Sequence, residues 1–178
     1  LTPLFSVCIS LIIELYSAEN YSEKGKAYSQ LGQVYAFEND DRAIDCFNEA
    51  LLALSKNSAN YYITESYLLH YYLEKGMKKE YERRAKEFFG GNKLPEEQFD
   101  YILSEAKKDD PLVNYKFALY VFVRSLWIFY KDDISESLWV KIENIPKTLR
   151  KNGIEKYNGH PTQIIAKYML FLLLYHNK

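Results

Sequence analysis

The sequence predicts an all-α fold of antiparallel helical hairpins stacked side by side. Three observations carry this. Apolar residues recur at three- and four-residue steps through most of the 178 residues. Four of the 5 Pro residues stand where such stretches open, and Gly76, Gly90 and Gly91 stand where they close. No apolar-polar alternation of useful strand length occurs.

Each element follows from its own signals. Thr2-Pro3 opens a first helix, which runs to about Ser17, because proline is preorganised for the first helical position. Ser22 is expected to cap a second helix to about Glu38, with Ala27, Tyr28, Leu31, Val34 and Tyr35 on one side. Asn39-Asp40-Asp41 turns the chain, and its carboxylates favour the amino end of a third helix carrying Ala43, Ile44, Phe47, Ala50, Leu51 and Leu54. Lys56-Asn57-Ser58 breaks that helix. A fourth helix runs from about Ala59 to Lys75 and stops at Gly76. A fifth covers Lys78 to Phe89. Pro95 opens a sixth to Lys107, Pro111 a long apolar seventh to Tyr130, and Asp132-Asp133 an eighth through Val140. After a polar stretch from Pro146 to Gly159, Pro161 opens a last helix with Ile164, Ile165, Tyr168, Met169, Phe171, Leu172 and Leu173. Most connections span about two to six residues, as between helices packed antiparallel to their neighbours. One domain over residues 1–178 is expected.

Composition narrows the function. Hydrophobic residues make up 48% and charged residues 26%, a globular balance. A formal net charge of −1 is not that of a general nucleic-acid binder, and direct nucleic-acid binding is not expected. Charge is uneven: residues 1–60 hold 4 basic and 8 acidic residues, the remainder 19 and 16. The 2 Cys, Cys8 and Cys46, form neither a disulfide framework nor a four-cysteine zinc site, and the apolar neighbours of each suit buried thiols. The apolar stretches Leu4–Ile13 and Phe117–Tyr130 are too short to span a bilayer, and no basic flank makes the first a signal peptide. A soluble, cytoplasmic protein is expected, with Asn20-Tyr21-Ser22 a chance sequon. The start at Leu1 rather than Met suggests a processed product or a piece of something longer.

One segment has an internal pattern. Tyr28-x-x-Leu31-Gly32-x-x-Tyr35 is followed by Ala43-x-x-x-Phe47-x-x-Ala50-Leu51. Gly32 lets two helices approach closely, Ala43 and Ala50 are small where the partner leans in, and Phe47 fills the space between. This stretch, over residues 22–54, resembles the tetratricopeptide repeat, with one residue fewer in the turn. A degenerate copy covers 59–89: Leu68-Leu69-x-x-Tyr72 lies 37 residues after the first Leu-Gly pair, and Tyr81 stands where the family has a small residue. A third covers 112–143 through Leu126-Trp127-x-x-Tyr130, with a terminal helix over 161–176. The resemblance implies a right-handed superhelix whose first helices line a concave groove for a peptide or partner segment. Carried over position by position, the groove residues are Lys26, Ser29, Gln33 and Phe37 in the first copy. Ser66, His70 and Glu74 follow in the second, and Arg124, Ile128 and Lys131 in the third.

Each candidate also has a plainer role. Arg124 stands in an otherwise apolar helix, yet Lys116, Tyr120, Arg124, Trp127 and Lys131 share a face that water alone could cover. His70, among Leu68, Leu69, Tyr71 and Tyr72, also suits a packed helix edge. Glu96-Glu97 and Asp132-Asp133 suit helix amino ends. The basic cluster Lys78–Lys86 is interleaved with glutamates as a salt-bridged face, and a second lies at Lys147, Arg150, Lys151 and Lys156. No metal-ligand spacing, nucleophile elbow, phosphate loop or dinucleotide fingerprint occurs. No catalysis and no cofactor are expected.

The pattern therefore points to a non-catalytic protein- or peptide-binding module. One sharp repeat, drifted copies and an apolar last helix also resemble the sensor domains of bacterial peptide-responsive regulators of the Rgg and PlcR type. That likeness implies a ligand-sensing or partner-binding part of a regulatory protein, with a homodimer through the terminal helices. The alternative is a structural or oligomerisation scaffold without a peptide ligand.

Overall fold

The computed structural model describes residues 3–56, 58–89, 96–101, 115–130 and 134–144. Those residues form helices joined by turns and short irregular connections, with no strand among them. The chain divides into two compact units: residues 1–76 with 111–113, and residues 77–110 with 114–178. The expected third repeat, over 112–143, lies in the second unit from Asn114 onward, and the expected terminal helix over 161–176 lies outside the described residues. No helix among the described residues is long and apolar enough to cross a membrane.

The first unit holds α1 (Pro3–Ser17), α2 (Tyr21–Phe37), α3 (Arg42–Ala53) and α4 (Ala59–Glu74). The α2 cap differs from expectation. Asn20, not Ser22, holds the first turn: its Oδ1 accepts the Glu23 N–H at 3.0 Å, and Glu23 Oε2 accepts the Glu19 N–H at 3.2 Å. This is a capping box shifted one position outward, which sets the helix start two residues earlier. The α2–α3 corner turns at Asn39 (φ 60°), a residue type that tolerates the left-handed region. There Asp40 accepts the Arg42 N–H at 3.0 Å. Ser58 caps α4 by accepting the Tyr61 N–H at 3.2 Å, and Gly76 (φ 66°) follows its end, as expected of a glycine beyond a helix.

Packing follows the apolar stripes. Helix α3 lies so close to α2 that a β-carbon at Gly32 would meet the Phe47 ring at 2.7 Å. Phe47, Ala43, Ala50 and Ala27 are fully enclosed, and Phe47 stacks on Tyr67 of α4 with centroids 6.3 Å apart. Helix α1 joins through a cluster of Leu11, Leu31 and Cys46, against which Cys8, Ile12, Tyr28, Val34 and Tyr35 pack.

Two contacts fix how α4 lies beside α2. Ser29 Oγ and Thr64 Oγ1 are 2.7 Å apart, 35 residues separating them. Lys75 Nζ donates to the Asn39 carbonyl at 3.0 Å, across 36 residues. So nearly constant an offset means that α2 and α4 run side by side in the same direction. The end of α4 is tied to the α2–α3 corner, where Tyr71 donates to Asp41 Oδ1 at 2.8 Å and Lys75 pairs with the same carboxylate at 2.9 Å.

The second unit holds α5 (Lys78–Phe88), helical residues 96–101 of α6, α7 (Tyr115–Phe129) and α8 (Glu136–Glu143). Ser135, rather than Asp132-Asp133, caps α8, accepting the Leu138 N–H at 3.2 Å. Residues 131–133 lie outside the described set. Phe89 and Phe99 both meet Phe122, at 5.9 and 6.2 Å between centroids, joining α5, α6 and α7 in one aromatic core. Lys141 pairs with Asp100 at 2.6 Å and Ser135 bonds Glu96, which hold α8 on α6. Tyr130 donates to Glu82 at 2.6 Å, and Lys78 lies 4.5 Å from the Tyr130 ring.

Candidate functional site

The sequence placed four groove positions on α2, and the structure divides them. Lys26 and Phe37 are exposed and Gln33 is half-buried. Together with exposed Gln30 they make one stripe at steps of four, three and four residues along α2. Ser29 faces elsewhere. It is buried against α4, and its hydroxyl is occupied by Thr64. The direction of that bond follows from a second one, since Thr64 Oγ1 donates to the Asn60 carbonyl at 2.7 Å. Thr64 has one hydroxyl proton, so Ser29 donates and Thr64 accepts.

On α4 the division is similar. Ser66 is fully buried and donates to the Tyr62 carbonyl at 2.9 Å, a bond within its own helix. His70 is half-buried, with Nε2 3.6 Å from Glu74 Oε1 one turn on. Ile63, Tyr67, His70 and Glu74 share the stripe of α4 that is least covered. Arg124, half-buried, and Ile128, 41% exposed, belong to α7 in the second unit. Lys131 lies outside the described residues.

The α2 stripe borders an open groove of about 420 Å³ between α1 and α2, lined by Val7, Leu11, Gln30, Gln33, Val34 and Phe37. Its floor is aliphatic. Its polar lining consists of two side-chain amides, each able to donate and accept. Phe37 stands at its edge, 79% exposed. Its ring carries the apolar lining out to the protein surface. Val7, Leu11 and Gln30 were not anticipated as site residues. Gln30 was legible as the missing member of the 26–30–33–37 stripe. The α1 contribution was not, because nothing in the repeat pattern assigns a role to the helix before it.

Asp40, Asp41 and Cys46 of this unit are engaged in the packing and turns of the fold. Asp40 is held below the usual carboxylate range by hydrogen bonds from Arg42. Asp41 is held below it by hydrogen bonds from Lys75 and Tyr71. Burial pushes the Cys46 thiol up to about 11, and the neighbouring Asp45 charge adds to the effect. A thiol so shifted is a small buried hydrophobe and a poor nucleophile. Among the described residues, no group of three or more His, Cys, Asp and Glu is placed to hold a metal ion.

Comparison with protein-family models, with curated proteins and with solved structures finds no match to this chain.

Proposed function

We propose that this chain is a non-catalytic binding module, a tetratricopeptide-like stack of helical hairpins that captures a peptide or protein segment along α2. The observation that carries the reading is the open groove at Gln33 and Phe37, two positions that the tetratricopeptide resemblance assigns to a binding face. Its chemistry suits an extended backbone. The Gln30 and Gln33 amides can meet peptide N–H and C=O groups, while Val7, Leu11, Val34 and Phe37 accept an apolar side chain. The parallel course of α2 and α4, about one repeat length apart, supports the superhelical arrangement. A module of this kind would serve as the ligand-sensing or partner-binding part of a regulatory protein.

Calorimetric titration of the whole chain with an array of extended peptides tests the reading. Binding that weakens about tenfold or more in Phe37→Ala, with the helical signal unchanged, is the expected outcome. The Phe37 ring is largely exposed, so its removal leaves the core intact. No binding across the array, together with a stable oligomer in sedimentation, would favour the scaffold instead.

A further inference from the structure

Beyond Phe37, at one end of the groove, the chain turns through an acidic corner. The carboxyl termini of α2 and α4 lie together, because Lys75 at the end of α4 bonds Asn39 just beyond α2. Four carboxylates gather there: Glu38, Asp40, Asp41 and Glu74. Among the described residues, Arg42 pairs with Asp40 at 2.6 Å and Lys75 with Asp41 at 2.9 Å at this corner. His70 stands beside Glu74. Glu38 thus adds an exposed carboxylate to a corner whose Asp40 and Asp41 already pair with Arg42 and Lys75, and both helices end with their partial negative charge at the same place. Glu38 directly follows Phe37, at the groove's edge, and is exposed. Lys26 is about 18 Å away along α2, at the other end of the stripe. The whole segment 1–76 repeats this bias, with 5 Lys and Arg against 10 Asp and Glu.

The groove lining itself carries no charge, so a charged side chain placed within it would lose hydration without a partner. A neutral apolar side chain fits there, and a cation beside it reaches the acidic corner. We propose that the groove takes a peptide segment of another protein in which an apolar residue is flanked by Lys or Arg, the cation resting over Glu38 and the joined ends of α2 and α4. This rests on the peptide-binding reading and gives it a ligand class.

Fluorescence anisotropy on the whole chain can separate the two ideas. Three end-capped, labelled peptides share the core Leu-Phe-Leu and differ in a flanking pair: Lys-Lys, Ser-Ser or Glu-Glu. The expected order is Lys over Ser over Glu, with about tenfold or more between the extremes at low salt and a gap that closes as salt rises. In Glu38→Lys, a solvent-exposed change, the gap should narrow several-fold while circular dichroism stays the same. Equal affinities, a preference for the Glu pair, or a gap untouched by Glu38→Lys would overturn the charge assignment. If all three peptides bind alike and Phe37→Ala weakens each, the groove reading survives and only this inference falls. If none binds, both fall.

Discussion

At Gly32 a β-carbon would lie 2.7 Å from two ring carbons of Phe47, and that ring is fully enclosed and stacked on Tyr67. Two effects oppose each other in Gly32→Ala. Alanine gains about 0.5–1 kcal/mol of helix propensity, whereas overpacking a core costs about 1–3 kcal/mol. Because Phe47 has nowhere to go, the second should win, and urea unfolding should show a net loss. A gain would mean that the α2–α3 spacing relaxes freely. At Asp41 the relevant variable is pH. Its folded pKa is lowered by Lys75 and Tyr71, so the contribution is present above the unfolded value of about 4 and is lost as pH falls through the lower folded value. Asp41→Asn should therefore melt earlier than the parent at neutral pH, and the two curves should converge in acid. A gap in melting temperature that persists at low pH would show that the carboxylate charge is not what the corner uses.

The element scale depends on one short chain of hydroxyls. Ser29 donates to Thr64, and Thr64 donates to Asn60, so the two ends of this chain are not equivalent. Removing the acceptor leaves a buried donor unmet, at about 1–3 kcal/mol, whereas removing the donor loses a net bond of about 1 kcal/mol. Thr64→Val should thus destabilise more than Ser29→Ala, and the double variant should fall short of their sum. Additive losses in denaturant titrations would place the α2–α4 contact elsewhere. This scale also shows what the sequence made legible. Helix existence was, because apolar periodicity and end signals agree from Pro3 to Gly76. The α2 start was misread by two residues because Asn20 and Ser22 are both capping residues, and only Asn20 has a Glu three positions on. The inward turn of Ser29 and Ser66 was not legible, since small hydroxyl residues suit both a wet groove and a close helix contact.

For the whole molecule, the division into two units falls at Gly76, where the sequence shows only a glycine beyond a helix. The same signal marks any inter-helix turn, so it carries no information about unit boundaries. Within the first unit, the shared core of α1, α2 and α3 has a built-in reporter. Leu11 and Val34 line the groove on one side and belong to the packing around Cys46 on the other. With its thiol raised to about 11, Cys46 is ionised to only about one part in a thousand at pH 8, and it is buried. Half-buried Cys8 should react first with an aromatic disulfide reagent, and Cys46 should follow only through opening of the core. A peptide seated on Leu11 and Val34 holds α1 against α2, so it should slow the Cys46 phase by the factor 1 + [L]/Kd if that opening abolishes the site. Running the assay on Cys8→Ala, with and without the Lys-flanked peptide, isolates that phase. Slowing in proportion to peptide concentration is expected; a Cys46 rate indifferent to saturating peptide would mean that the ligand does not sit between α1 and α2.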